Sequence, residues 1–137
     1  MIKKILLFSL LLIISAKLAF ACSCAMLRPP GYVENADALF VGQVIEIESL
    51  EDYWEKITLK INRSYKGISD DLITVYINKN PGACYYLWFT EGKEYIVNAN
   101  IEGNKMTVGR CSGTESLSKI KDNLLEIEKI IKDQLKE

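Results

Sequence analysis

The chain has 137 residues, of which 49% are hydrophobic and 26% charged, and it contains no histidine. This length allows one domain, and the lack of histidine excludes a catalytic histidine and a histidine-based metal site. The first 21 residues hold three of the 17 basic residues and none of the 18 acidic ones, so residues 22–137 carry a net charge of −4, which speaks against a nucleic-acid partner.

The first 21 residues have the layout of a secretory signal peptide. Two lysines precede an apolar run at 5–14, and the small-x-small triplet Ala-Phe-Ala follows at 19–21. The run is too short to span a bilayer comfortably, and Lys17 falls where a membrane anchor would need to continue. We therefore expect cleavage after residue 21 and a single exported domain at 22–137, either secreted or in the cell envelope.

Lipoprotein processing would also end on Cys22. That route cuts before a cysteine which then carries lipid. Bulky Phe20 fits poorly before such a cysteine, and lipidation would leave three thiols, an odd number, in an oxidising compartment. An envelope lipoprotein is the less favoured alternative, and we expect membrane association only if Cys22 is lipidated.

The exported segment contains four cysteines: Cys22, Cys24, Cys84 and Cys111. Four cysteines in a small exported domain indicate two disulfides, for which three pairings are possible. A four-cysteine zinc site is the rival interpretation, but such sites use two close pairs, and here Cys84 and Cys111 lie 27 residues apart. Cys22 and Cys24 cannot readily bridge each other across one residue, so we expect each to reach a distant partner.

After a possible helical turn at 32–37, apolar alternation and β-branched residues predict five strands. They cover residues 39–47, 54–65, 73–77, 93–100 and 105–111. Gly42 indicates a bulge or sharp bend in the first strand. Residues 78–82 have the composition of a loop, and Glu-Gly-Asn at 102–104 predicts a hairpin turn.

An amphipathic helix is predicted over residues 115–136. One face of this helix is apolar: Leu117, Ile120, Leu124, Ile127 and Ile131. Thr114 or Ser116 is expected to cap its start. The stripe is too short to favour a coiled-coil seam, so we expect the helix to cover the open side of a small barrel. The whole pattern predicts a mainly β fold, a disulfide-stapled five-stranded Greek-key barrel like the OB-fold, with a C-terminal helix.

Several stretches together resemble the amino-terminal domain of the tissue inhibitors of metalloproteinases, part of the netrin-like superfamily. Proteins of that family are cleaved to begin with Cys-x-Cys, as CSCAM at 22–26 would begin here. Their first barrel strand resembles NADALFVGQVIEI, their second resembles ITLKINRSYKG, and their last hairpin resembles GKEYIVNANIEGNKMTVGRC. The resemblance covers nearly all of residues 22–120, and the order of these stretches and the cysteine spacing make it fairly specific.

The resemblance implies an OB-like barrel with the disulfides Cys22–Cys84 and Cys24–Cys111, carried over by order. The four cysteines are too few for the third disulfide of the animal domain, and we do not expect residues 22–137 to include the family's carboxy-terminal domain. Many netrin-like modules bind or localise other molecules without inhibiting a protease, so the fold alone does not decide the function.

The resemblance also implies a mechanism. In the family, the amine and carbonyl of the first residue bind the zinc of the protease, and the second side chain enters the specificity pocket. Carried over, these roles fall on Cys22 and Ser23. A catalytic zinc keeps one coordination position open, and a free α-amine, with a pKa of about 7.7–8.0, can lose its proton and bind metal near neutral pH.

Further protease contacts are implied for residues that flank these positions: Cys24, Ala25, Met26, Ala83, Cys84 and Tyr85. The aromatic residues that follow Cys84 (Tyr85, Tyr86, Trp88 and Phe89) fit either a contact surface or, more commonly on a short barrel, the core. The acidic residues between 46 and 52 are interpreted as a solvated strand end.

The resemblance thus implies a secreted inhibitor of zinc metalloendopeptidases, with no cofactor or metal of its own. An enzyme is not expected, because the chain offers no histidine and no convincing nucleophile. The alternatives are a non-inhibitory netrin-like binding module, in which Cys22 and Cys24 only staple the barrel, and the envelope lipoprotein.

Overall fold

The computed structural model describes Met1 and residues 33–80, 88–109 and 111–136. Within these ranges a helical turn at 33–35 precedes six strands and two helices. The elements are β1 (Ala38–Ser49), β2 (Trp54–Lys66), β3 (Leu72–Asn78), β4 (Glu94–Glu102), β5 (Lys105–Thr107), β6 (Glu115–Ser116), α1 (Leu117–Ile120) and α2 (Leu124–Gln134).

Five of the strands close into a barrel. β1 pairs antiparallel with both β2 and β4, β2 pairs with β3, and β4 pairs with β5. A parallel bridge between Tyr76 of β3 and Thr107 of β5 completes the ring. The order β1-β2-β3-β5-β4-β1 is that of a five-stranded Greek-key OB-fold barrel, so the predicted fold class is confirmed.

Alternate residues of each strand fill the barrel interior, as period-two side-chain orientation requires. Ile57 and Leu59 of β2 and Val75 and Ile77 of β3 are completely buried. Phe40 of β1 packs with them in one apolar cluster, which also takes in side chains of β4. The interior is therefore a continuous hydrophobic core built from four strands.

Gly42 lies at a bend of β1, as predicted. The pairing with β2 shifts between Val41, opposite Arg63, and Gly42, opposite Ile61. A Cβ atom at position 42 would lie 3.1 Å from the carbonyl oxygen of Lys60, closer than side chains normally approach a neighbouring strand. The missing side chain lets β1 bend tightly enough to pair on both edges.

Two elements are shorter than the sequence predicts. β5 ends at Thr107 instead of 111, although the amide of Val108 still donates to the carbonyl of Tyr76 at 3.0 Å. The C-terminal helix starts at Leu117 and is interrupted at 121–123, where the amide of Asn123 donates to the Ile120 carbonyl. Asp and Asn in this turn favour caps over helix interiors.

The expected side-chain cap is absent from both helix starts in the described chain. Ser116 precedes α1 without a capping bond, because it and Glu115 form β6 and pair with β4. The hydroxyl of Thr114 instead accepts a hydrogen bond from the backbone amide of Asn98 and donates one to the backbone carbonyl of Asn98. These bonds fasten the segment before the helices to β4.

α2 packs on the outer wall of the barrel and not over its open side. Leu39 and Val41 alternate with the inward-facing residues of β1, and with Ile96 of β4 they form an apolar patch outside the barrel. Ile127 and Ile131 of α2 cover this patch. The predicted apolar face of the helix is thus confirmed, but its partner is a second, external core.

We predict that shortening Ile131 to alanine lowers the free energy of unfolding by about 2–4 kcal/mol, because it opens a cavity between helix and barrel. Ile131 is 0% exposed, whereas Leu125 on the same helix is 81% exposed. The matched Leu125→Ala change should therefore alter stability by less than about 0.5 kcal/mol. Urea denaturation measures both, and equal effects would contradict the packing of α2.

Candidate functional site

The site residues predicted from the resemblance all lie outside the described residues: Cys22, Ser23, Cys24, Ala25, Met26, Ala83, Cys84 and Tyr85. Their roles, and the disulfides Cys22–Cys84 and Cys24–Cys111, stay predictions. The described surface nearest along the chain to Cys84 is formed by Lys79 and Trp88, on either side of residues 81–87.

Lys79 and Trp88 belong to a surface at the β1–β2 end of the barrel, which we call the hairpin-end surface. It surrounds a cavity of about 270 Å³. The residues that line it are Ser49, Leu50, Tyr53, Trp54, Glu55, Lys79 and Trp88. Among them Tyr53 and Trp88 are each more than 60% exposed, so two large aromatic side chains meet solvent at one end of the barrel.

The β1–β2 turn holds Tyr53 outward through an unusual backbone. Asp52 and Tyr53 have φ angles of 56° and 65°, in the left-handed region that aspartate tolerates but a bulky residue such as tyrosine rarely adopts. The amide of Leu50 donates to the carbonyl of Trp54 at 2.8 Å, and the amide of Lys79 donates to the carbonyl of Tyr53 at 2.8 Å. Backbone strain of this kind is maintained only by its surroundings and is frequent at functional sites.

Lys79 links β2 to Trp88. Its ammonium lies 2.7 Å from Glu55 Oε1 and 4.0 Å from the centre of the Trp88 ring. The side chains of Lys79 and Glu55 are both more than three-quarters shielded from solvent, so this ion pair is stronger than one on an open surface. A cation over an indole face adds attraction. The chain is thereby fixed on both sides of residues 81–87.

Tyr95 fixes the same segment from inside the barrel. Its hydroxyl donates to the carbonyl of Trp88 at 3.1 Å and accepts from the amide of Thr90 at 3.0 Å. The ring centre of Tyr95 lies 4.7 Å from that of Phe89, which is buried in the core. Of the predicted aromatic run, Phe89 is therefore core and Trp88 is surface, while Tyr85 and Tyr86 lie outside the described residues.

Acidic side chains border the hairpin-end surface. Glu46, Glu48, Glu51 and Asp52 are all exposed, in agreement with their interpretation as a solvated strand end. Glu48 forms an ion pair of 2.8 Å with Lys56, and this hydrogen bond raises the pKa of the Lys56 ammonium.

A partly buried polar cluster between β2 and α2 escaped the sequence analysis. Arg63 and Tyr65 of β2 both donate to Oε1 of Glu128 on α2, the tyrosine at 2.6 Å. Burial, followed by the hydrogen bond to Glu128, raises the pKa of Tyr65 to about 12. Bonds to Tyr65 and Glu128 raise the pKa of Arg63. The sequence pattern could have indicated that Glu128 is buried, because Glu128 lies at i+4 on the apolar face that starts at Leu124 and includes Ile127 and Ile131.

The stretch Tyr65-Lys66-Gly67 thus has a structural role. The ammonium of Lys66 donates to the carbonyl of Val33 at 2.9 Å. Gly67 has a φ of 72°, and a Cβ there would collide with the carbonyl oxygen of Asp37. Only glycine fits this position, which brings the end of β2 against the start of β1.

The described residues contain no group of three or more potential metal-binding side chains. Within the same ranges, no helix has the length and apolarity needed to cross a membrane.

No family model matches the chain, and no curated protein matches it. A solved structure that is similar is the OB domain of a protein from Methanosarcina mazei, determined by NMR in solution. It is 16% identical, with a TM-score of 0.42, and the alignment covers 71% of this chain and 87% of that one. The assignment of the barrel to the OB-fold rests on its strand order.

We predict that Tyr65→Phe weakens the pH dependence of stability above pH 10. The pKa of Tyr65 is about 12 when folded and about 10 when unfolded. Its contribution to the free energy of unfolding is therefore complete below pH 10 and is lost as the pH rises towards 12. The side chain is half-buried, and after allowance for solvent screening the loss is about 1 kcal/mol.

Urea denaturation at pH 8 and at pH 11 measures this effect. Tyr65→Phe should be less stable than the native protein at pH 8 and closer to it at pH 11. Tyr53→Phe, a change at an exposed tyrosine, should follow the native protein at both values. A constant gap between the native protein and Tyr65→Phe would contradict the prediction.

Proposed function

We propose that this protein is an exported, netrin-like OB barrel that inhibits zinc metalloendopeptidases in the manner of the tissue inhibitors of metalloproteinases. One observation carries the proposal: Cys22-Ser23-Cys24 directly follows the Ala-Phe-Ala triplet of a signal-peptide pattern, so cleavage there would leave Cys22 as the first residue. The α-amine and carbonyl of Cys22 bind the zinc of the protease at its open coordination position. The small side chain of Ser23 enters the adjoining specificity pocket.

The barrel supports this proposal, because the resemblance implied an OB-fold and the strand order has that topology. Cys111, which the resemblance pairs with Cys24, follows β5 and takes part in a disulfide bond. A disulfide is typical of proteins exported to an oxidising compartment and so favours a secreted or envelope protein.

The hairpin-end surface also supports a binding role. Lys79 and Trp88 flank the segment that contains the proposed contacts Ala83, Cys84 and Tyr85, and both are attached to the barrel by the bonds described above. A segment with anchored ends loses less conformational entropy when it binds a partner than a free loop does.

A non-inhibitory netrin-like binding module is the second candidate. The exposed rings of Tyr53 and Trp88 favour it, because this aromatic surface is independent of the amino terminus and needs no zinc in its partner. A free amine on Cys22 is required by the inhibitor and not by the binding module, so it separates the two candidates by experiment.

We predict that one alanine added before Cys22 abolishes inhibition, because it removes the α-amine from the position that reaches the zinc. Acetylation of the Cys22 amine should have the same effect. Ser23→Gly should weaken inhibition more mildly, since it keeps both metal ligands and loses only the contact in the pocket. Inhibition constants against a panel of secreted zinc endopeptidases measure the three changes.

Two controls separate the loss of metal binding from misfolding. The extended protein should melt at the native temperature and keep its disulfides, because the addition lies outside the barrel. If the extended protein inhibits as well as the native one, zinc binding by Cys22 is wrong. If the native protein inhibits no member of the panel, the binding module replaces the inhibitor.

A further inference from the structure

A second cavity, of about 190 Å³, lies on the outer face of β2, β3 and β5. Its lining consists of Trp54, Tyr76, Asn78, Glu102, Thr107, Val108 and Gly109. Trp54 lines this cavity and also the cavity of the hairpin-end surface. The two cavities are therefore neighbours, with Trp54 common to both.

The pairing of the strands brings these side chains together. Trp54 of β2 is opposite Asn78 of β3, and Tyr76 is opposite Thr107 of β5. Tyr76 and Asn78 share a face because they are two residues apart on one strand, whereas Val75 and Ile77 face the core. Trp54 and Tyr76 are therefore diagonal neighbours on adjacent strands, and both line the cavity.

Polar groups surround the two rings. Glu102 contributes a carboxylate, Thr107 a hydroxyl, and Asn78 an amide whose Oδ1 accepts from the amide of Asn80 at 2.9 Å. The ammonium of Lys105 lies 5.1 Å from the centre of the Tyr76 ring. Donors and acceptors therefore lie next to aromatic faces, an arrangement suited to ligands that carry both apolar ring faces and hydroxyl groups.

The place of the cavity in the fold also points to a ligand. In OB-folds the face of strands 2 and 3, between the loops that join strands 1 to 2 and 4 to 5, binds oligonucleotides or oligosaccharides. Here those loops are residues 50–53 and 103–104. The cavity lies between the two loops on that face.

Charge distinguishes the two classes of ligand. A single-stranded nucleic acid requires a positively charged groove along its phosphates. Residues 22–137 have a net charge of −4, and Glu102 lies within the cavity itself. The carboxylate of Glu102 and the nearby ammonium of Lys105 balance each other, so they do not form the positively charged groove that phosphates need, whereas the hydroxyl groups of an uncharged sugar can donate to this carboxylate.

We propose that this cavity binds one ring of a neutral oligosaccharide, stacked against Trp54 and Tyr76 and hydrogen-bonded to Glu102 and Asn78. The adjoining cavity on the other side of Trp54 accepts the next sugar. The volume of about 190 Å³ is smaller than the about 300–1,000 Å³ of drug-sized sites, which suits a single ring. This activity is independent of protease inhibition.

Tryptophan fluorescence of the full exported chain tests the proposal. The sequence has two tryptophans, so Trp88→Phe leaves Trp54 as the single reporter while it keeps an aromatic ring at position 88. The probes are chitohexaose, cellohexaose and maltohexaose at up to about 10 mM, which detects Kd values of about 1 mM. A twelve-nucleotide thymidine oligomer and heparin are the anionic probes.

We expect a saturable change of fluorescence with at least one neutral hexasaccharide. Glu102→Gln and Tyr76→Ala should each weaken binding at least tenfold. Glu126→Gln, a change at an exposed glutamate on α2, should leave it unaltered. Glu102 is also exposed, so its variant tests the cavity even if Tyr76→Ala fails to fold.

Three results would overturn the proposal. The first is no saturable change with any of the three sugars. The second is saturable binding of the thymidine oligomer or heparin alone, which would indicate a polyanion site. The third is sugar binding that Glu102→Gln and a folded Tyr76→Ala leave unchanged, which would place the sugar elsewhere.

Discussion

The structure depends on the double pairing of β1. This strand forms hydrogen bonds with β2 along one edge and with β4 along the other, and its pairing with β2 is irregular at three points, one of them at Gly42. Successive residues of β1 then serve two cores. Phe40 faces the interior, while Leu39 and Val41 face outward and provide the surface on which α2 packs.

α2 lies away from the hairpin-end surface and the neighbouring cavity. Its buried Glu128 is held by Arg63 and Tyr65, near the end of β2, whereas Trp54 is the first residue of that strand. Arg63 lies nine residues after Trp54, which at about 3.3 Å per residue is roughly 30 Å measured along the strand. The helix therefore stabilises the outer wall of the barrel near the end of β2, and among the described residues it does not cover the hairpin-end surface or the neighbouring cavity.

The sequence predicted the barrel well, because half-buried strands such as β2 show strict alternation and the terminal helix shows a regular apolar stripe. It did not predict that Glu128 is buried, since a charged residue on such a stripe needs partners that only the folded chain brings close. It also could not separate Trp88 from Phe89, which are adjacent and chemically alike. The proposed roles of Cys22 and Ser23 come from the family resemblance of the sequence, whereas the two cavities are visible only in the folded chain.

Inhibition by the proposed mechanism requires that the exported chain begins at Cys22, with a free amine and a disulfide that ties Cys22 to the barrel. Mass spectrometry of the intact, non-reduced protein, followed by a peptide map, tests it most directly. We predict an unmodified amino terminus at Cys22 and the pairs Cys22–Cys84 and Cys24–Cys111. A lipid on Cys22, a different first residue, or a bond between Cys22 and Cys111 would contradict the account.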